Sequence, residues 1–417
     1  MGKVIIYTGH GELIGGDVHH AFDLVTELDA NEGEVELFTD HNKLFVERAE
    51  AWLKADVPIK YLDTRPRLFS PHFMENYHSK LDQQKENLSG FNRLIYTALS
   101  LPIGSRKCYD YLKIFARILS FKYLRDHIAN ILVFFNLFRQ EKRDVDVFHF
   151  NNGGYPAKVA GIFSILMARC FGVRRIVMTV HNIPRFRIFP IDFLCDLIVR
   201  NCCSQVITSS ERVRQEMIAR RTIPREMIKT IHCGMEDIPL LSMAECVAKR
   251  ESMGITPDRL SLLISGNYEE ERKGHIPLLH ALALVKKKFP EVLLMIAGSG
   301  SESRKKVLES VILQNELSKN VQILGYRKDL YEINSIADIC LTPSTGVESL
   351  PYTIIEAARL AKPVITTTMG GCSEAVEDGV TGYVVEPGNL PMLAEKLETL
   401  LASQSLRERM GQAAREL

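Results

Sequence analysis

The 417-residue chain carries 52 Lys and Arg against 51 Asp and Glu, a net charge of +1, and is too long for one compact core, so two α/β domains are the expectation. So even a balance leaves no general case for nucleic acid or another polyanion as a partner. Nine cysteines are scattered without a Cys-x-x-Cys pair, which indicates neither a zinc site nor a disulfide framework and fits a reducing cytosol.

The opening Met1-Gly2-Lys3-Val4-Ile5-Ile6-Tyr7 runs straight into a strand, without the long apolar stretch and small-residue cleavage site of a secretory signal. No apolar run approaches the roughly 20 residues that span a bilayer. A cytoplasmic protein, soluble or peripheral on the inner face of the membrane, is therefore expected. Val4 to Thr8 reads as a buried strand, and Gly9 to Gly16 as a glycine-rich turn closing on Asp17, an N-cap for a helix to about Leu28. Ligands bind α/β folds at such an edge. The spacing is not Gly-x-Gly-x-x-Gly, so these residues alone fit a plain tight turn as well as a ligand loop.

Val35 to Thr39 and Val57 to Tyr61 read as further strands. Leu94 to Arg143 is helical, apolar and rich in cations, among them Arg117, Lys122 and Arg125, against only Asp110, Asp126 and Glu141. Such alternation suits helices lying on an anionic membrane surface, with Ile114-Phe115 and Ile131 to Phe138 turned inward or into lipid. It suits equally the packing helices of an ordinary α/β domain.

Val145 to Phe150 and Arg175 to Val180 read as strands that present His149 and His181 at their carboxyl ends. A lone histidine is more often structural, but this edge of the sheet is where a polar side chain acts on a ligand. Ser204 to Ser209, a helix over Glu211 to Ala219, and Ile228 to Ile231 complete the first half. Leu260 to Ser265, Val292 to Ala297 and Val321 to Leu324, alternating with helices from His275 and from Ser303 to Asn315, predict a second parallel sheet. The first of these strands ends in Gly266-Asn267-Tyr268-Glu269-Glu270-Glu271-Arg272-Lys273-Gly274, two adjacent cations beside three glutamates.

The stretch Thr342 to Glu356 is a strand-to-helix loop, because the apolar run Ala337 to Leu341 precedes it and helical periodicity over Tyr352 to Leu360 follows. Pro351 fits the first helical position, where its fixed φ suits and its missing N–H goes unpaired, so the next amides form an anion site. Glu348 and Glu356 flank that site. Acids beside a phosphate repel it unless they bind something else, and sugar hydroxyls are natural donors to a carboxylate. The chemistry suggested is a nucleotide sugar.

Ala297-Gly298-Ser299-Gly300, Leu324-Gly325-Tyr326, Lys362-Pro363-Val364-Ile365, Gly370-Gly371-Cys372-Ser373-Glu374 and Asp378-Gly379-Val380-Thr381-Gly382-Tyr383 stand around this loop. In that order, and with the two glutamates, they resemble the Glu-x7-Glu region of retaining glycosyltransferases of the GT-B fold, family 4 (the glycosyltransferase group 1 domain). The resemblance runs from about Leu262 to the C-terminus. It implies an α/β, GT-B architecture of two Rossmann-like domains with parallel sheets facing across a cleft. Residues 1–235 would form the acceptor domain, with the basic helical region 91–143; 236–258 would be a linker and 259–417 the nucleotide-sugar domain.

The same resemblance assigns roles. His181 and Glu348 would be catalytic, the first orienting the sugar and the second holding its hydroxyls. Gly15, Gly16, Asn267, Arg272, Lys273, Leu350, Tyr352, Thr353 and Glu356 would bind the donor, with Glu356 on the ribose. Asn267 stands where the family usually has an arginine, and Arg272 would supply the missing cation. His232-Cys233 replaces the usual Pro-Asn before the linker. No metal or other cofactor is expected. The implied reaction takes a hexose from a nucleotide sugar such as a UDP-hexose to a glycan or lipid-linked acceptor, in cell-surface polysaccharide or glycolipid synthesis. Two rival readings remain: a non-catalytic nucleotide-sugar binder, and a nicotinamide oxidoreductase, for which Asp40 supplies the acid but the glycine spacing fails.

Overall fold

The computed structural model describes residues 3–8, 21, 24–28, 34–40, 57, 59–62, 121–140, 145–156, 159–187, 190–235 and 239–417. The chain divides into two compact units, one of Met1–Val180, Pro184–Ile207 and Arg220–Lys229, the other of His181–Ile183, Thr208–Ala219 and Thr230–Leu417. Among the described residues no helix is long and apolar enough to cross a membrane.

The first sheet has seven strands: β1 (Lys3–Thr8), β2 (Val35–Asp40), β3 (Ile59–Leu62), β4 (Val145–Gly154), β5 (Arg175–Asn182), β6 (Gln205–Thr208) and β7 (Ile228–Thr230), in the order β3-β2-β1-β4-β5-β6-β7. β1 pairs in parallel with β2 and β4, and β2 with β3. Part of its core is aliphatic, with Val4, Ile6, Val25, Val35, Leu37 and Val57 packed together, and part is aromatic. Tyr7 stacks on Phe150 at 5.5 Å and meets Phe134 edge-on at 4.9 Å, while Phe138 meets Phe148 at 5.2 Å. Each such pair adds about 0.5–1.5 kcal/mol beyond its buried area.

Phe134 and Phe138 come from helix α1 (Phe121–Gln140), the part of the basic region that lies within the described residues. Phe134, Leu137 and Phe138 turn inward, and Leu132 and Phe135 face outward. This stretch is thus a packing element of the sheet along its inner face. Arg117 and the Ile114-Phe115 run lie outside the described residues, as do Gly15 and Gly16.

Helices α2 (Val159–Cys170), α3 (Pro190–Cys202) and α4 (Glu211–Arg220) follow β4, β5 and β6. A buried ionic network fastens α3 to the segments after β4 and β5. Arg221 donates through Nε and Nη2 to Asp196 Oδ1, which also accepts from Tyr155 Oη at 2.9 Å. Arg185 Nη2 reaches Asp192 Oδ1 at 2.5 Å, and its backbone N–H donates to Tyr155 O. Arg221 and Asp196 are 0% and 1% exposed in their side chains, so removing either would leave a buried charge unmatched, at a cost of about 3–5 kcal/mol.

The second unit begins its sheet after helix α5 (Met243–Ser252), which a capping box starts: Glu245 N–H donates to Ser242 Oγ, and Ser242 N–H to Glu245 Oε2 at 2.8 Å. Arg250 then ties α5 to the sheet, donating to Ile336 O, Thr256 O, Arg259 O and Ser261 Oγ. Lys249 Nζ meets Asp329 Oδ2 at 2.5 Å.

The six strands are β8 (Ser261–Ser265), β9 (Leu293–Ala297), β10 (Val321–Gly325), β11 (Ile339–Thr342), β12 (Val364–Thr367) and β13 (Gly382–Val385), in the order β10-β9-β8-β11-β12-β13. All five pairings are parallel. Leu262, Ile264, Leu294 and Ile296 pack on one face and Leu263, Leu293 and Met295 on the other, the two-sided burial that makes a parallel strand continuously apolar. Helices α6 (His275–Val285) and α7 (Glu302–Gln314) contribute to the first face, α8 (Leu330–Ile336) and α9 (Tyr352–Arg359) to the second. Helices α10 (Leu390–Ala402) and α11 (Gln404–Glu416) complete the first face.

Candidate active site

The strand order reverses direction between β8 and β11, and the crevice beyond their carboxyl ends is where an open parallel sheet binds its ligand. Two loops meet there. The loop after β8 carries three consecutive glutamates, and each has a partner: Glu269 Oε2 accepts from Ser301 N–H at 2.7 Å, Glu270 pairs with Arg272, and Glu271 Oε1 pairs with Arg304 Nη1 at 3.0 Å. Asn267 Oδ1 accepts from Glu269 N–H at 2.9 Å, so it braces its own turn. Gly274, at φ +80°, closes the loop so tightly that a Cβ there would stand 1.9 Å from Pro343 O. Only glycine allows that approach.

The loop after β11 brings Glu348, 6% exposed, onto the two cations of the first loop. Arg272 Nη1 lies 2.5 Å and Lys273 Nζ 2.7 Å from Glu348 Oε1, and Ser344 Oγ donates to the same oxygen at 3.3 Å. Burial pushes the Glu348 carboxyl up, but Lys273 and Arg272 together outweigh it and hold the group below the usual range. It is ionised at neutral pH. Arg272 is itself framed by the second loop, donating to Val347 O and accepting from Thr345 N–H. Gly370, at φ +62°, passes beneath: its Cβ would stand 1.6 Å from Glu348 O, and Gly371 N–H donates to that carbonyl at 3.2 Å.

Helix α9 starts at Tyr352. Pro351 is the N-cap, with ψ 124°, and not the first helical residue that the sequence predicts. Proline's φ near −65° serves either place, and only ψ separates them. One turn into the helix, Glu356 Oε2 is shut from solvent and has no hydrogen-bond partner among the described residues. Burial pushes this carboxyl up to about 7. The two glutamates of the motif thus differ in kind, one held charged by cations and the other made reluctant to ionise by desolvation.

Leu350 and Tyr352 pack with Cys233 in a small apolar cluster. Thr353 Oγ1 lies 3.3 Å from Thr342 Oγ1 on β11. His181 is the last but one residue of β5, is buried, and its carbonyl accepts from Ser209 Oγ at 3.2 Å. His149 is not at a strand end: β4 runs on to Gly154, and its Nε2 lies 2.7 Å from Thr179 Oγ1. The strand continues because Asn151 is buried in it, donating to Thr8 Oγ1, where its polarity reads as a loop.

Of the residues that the sequence singles out, the structure brings Arg272, Lys273 and Glu348 into direct contact, a contact that the sequence does not predict. The sequence reading also misses Ser344, whose carbonyl also accepts from Thr367 Oγ1 at 2.7 Å, and the support that Gly370 gives Glu348. The pair Gly370-Gly371 is the signal that could have found the latter.

Anabaena Alr3699/HepE in complex with UDP aligns over 99% of this chain and 93% of its own, at a TM-score of 0.71 and 17% identity. The fold is GT-B. Residues 248–417 match the family model for Glycosyl transferases group 1, so the match covers the Glu348 loops and α9 of this GT-B chain. The capsular polysaccharide biosynthesis glycosyltransferase CapM of Staphylococcus aureus is 24% identical over 296 residues, 69% of this chain and 75% of that protein. The phosphatidyl-myo-inositol mannosyltransferase of Mycobacterium leprae (strain TN) is 30% identical over 182 residues, 43% of this chain and 46% of that protein.

Proposed function

We propose that this protein is a retaining glycosyltransferase of family 4, taking a hexose from a nucleotide diphosphate sugar such as a UDP-hexose to a glycan or lipid-linked acceptor in cell-surface polysaccharide or glycolipid synthesis. One observation carries the reading: two adjacent cations converge on a buried carboxylate at the switch point of a parallel sheet, beside a helix N-terminus. The group 1 match over the same residues supports transfer over nicotinamide chemistry.

A diphosphate competes with Glu348 for Lys273 and Arg272. As the bond from the anomeric carbon to the phosphate oxygen breaks, negative charge gathers on that oxygen. Lys273, Arg272 and the first amides of α9 stabilise it, which is the differential binding that lowers the barrier. The bond to the acceptor oxygen forms on the face the phosphate leaves, and the leaving phosphate takes the acceptor hydroxyl proton. Glu348, released from its cations, accepts hydrogen bonds from the sugar hydroxyls. Glu356 Oε2 accepts from the ribose, and His181 orients the sugar. Charge compensation in this reading comes from side chains and amides, without a metal.

The test is a thermal-shift screen of nucleotide sugars followed by mass-spectrometric detection of transfer. A ligand at a hundredfold its Kd stabilises the native state by about 2.7 kcal/mol, a clear rise in melting temperature. If no nucleotide sugar stabilises the chain, the reading is wrong; stabilisation without transfer or donor hydrolysis favours the non-catalytic binder.

A further inference from the structure

Helix α3 holds Asp192, Asp196 and Arg200, and by sequence it is mildly acidic. The fold reverses that character. Both aspartates turn into the network of Arg185 and Arg221 and are 0% and 1% exposed. The opposite face shows solvent Phe193, Leu194 and Leu197, 54%, 40% and 49% exposed, with Arg200 one turn further along the same stripe. Just ahead of the helix Phe186 is 61% exposed. Arginines border these side chains: the Arg187 guanidinium lies 4.4 Å from the centre of the Phe193 ring, and that of Arg220 4.3 Å from the Phe186 ring.

Four large apolar side chains gathered on one helix and its approach exceed the single exposed residues of an ordinary surface. Whatever covers them must bring apolar volume at the centre and negative charge at the border. A bilayer with anionic headgroups brings both, since rings and aliphatic chains enter the acyl boundary while arginines reach up to phosphates. We propose that this face of α3 seats the first unit on an anionic lipid surface. The inference uses only the geometry of that unit and is independent of the reading of the Glu348 site.

The test sediments the full chain with vesicles of phosphatidylcholine containing phosphatidylglycerol, and with phosphatidylcholine alone. Binding to the anionic vesicles at low salt that fades as salt rises is expected. Arg200→Glu should lower partitioning at least about fivefold, and Phe193→Glu with Leu197→Glu at least about tenfold. The melting temperature should hold, because all three side chains are exposed. Should the double variant unfold, Phe193→Trp gives a second readout, an emission blue-shift on anionic vesicles beyond that of the wild-type chain. Wild-type protein that stays in the supernatant at low salt overturns the proposal, as do variants that sediment like wild type. A wild-type dimer that the double variant splits, with vesicles ignored, overturns it in favour of a second copy on this face.

Discussion

Lys273 Nζ lies 2.7 Å from Glu348 Oε1, and the same oxygen lies 2.5 Å from Arg272 Nη1. A carboxylate here occupies both cations, so a diphosphate bound as proposed would compete with Glu348 for them.

Glu348→Gln should therefore separate affinity from turnover. With the competing charge gone, pyrophosphate should bind several-fold tighter by calorimetry. Transfer should fall, because a charge-assisted hydrogen bond of the kind Glu348 would make to the sugar contributes about 1.5–3 kcal/mol. Unchanged pyrophosphate affinity would show that the two do not compete.

Lys273→Ala should lower kcat by on the order of 10²–10³, the usual loss when one preorganised donor to a developing charge is removed. Transfer should survive EDTA, since in the proposed scheme side chains and amides carry the charge. Full loss on chelation, restored by manganese or magnesium, would refute the metal-free scheme.

Glu356 gives a pH dependence of definite sign. Its folded value of about 7 stands above its ordinary 4.5, so between these values the native state binds more protons than the unfolded chain, and this group's contribution to stability falls as pH rises through the window. Glu356→Gln should consequently melt higher than wild type at pH 8, each kcal/mol being worth roughly 2–4 °C, with the difference shrinking toward pH 5. Donor affinity should weaken in wild type as pH falls through 7 and stay level in the variant. A variant whose melting tracks wild type at every pH removes the desolvated carboxylate from the account.

Gly370→Ala combines a left-handed φ, costing about 1–3 kcal/mol for a side chain, with a clash on the Glu348 carbonyl. The variant should melt lower and lose transfer more than Glu356→Gln does, because its backbone supports Glu348. Melting and kinetics equal to wild type would mean the 368–372 turn relaxes freely.

How much of this is legible in the sequence depends on the range of each interaction. The second sheet is legible because Leu262 to Ile264 and Leu293 to Ile296 are apolar on both faces, a pattern local to each strand. The crevice is legible too, since Arg272, Lys273 and Glu348 sit in the loops that follow β8 and β11. The three glutamates of the 266–274 loop read as a threat to a phosphate site, and what disarms them is Ser301 and Arg304, more than 30 residues on. Two of the acids are held by these partners, and the third is held by Arg272. Pro351 is ambiguous for a different reason, as its ring fixes only one of the two angles that define its place. The polar Asn151 hides the rest of β4, because its hydrogen bond to Thr8 crosses to a strand 143 residues away.

The hold of Arg250 on Ile336, Thr256, Arg259 and Ser261 bears on any attempt to excise the second sheet for study. A fragment begun at residue 259 would discard the guanidinium that bonds Ile336 O, Arg259 O and Ser261 Oγ and, with it, the helix whose Cys246 packs against the apolar cluster of Ile336. It should express poorly and expose that apolar flank. A fragment begun a few residues ahead of Ser242 keeps the capping box and the arginine, and is the boundary at which the second sheet keeps the contacts it needs to fold by itself.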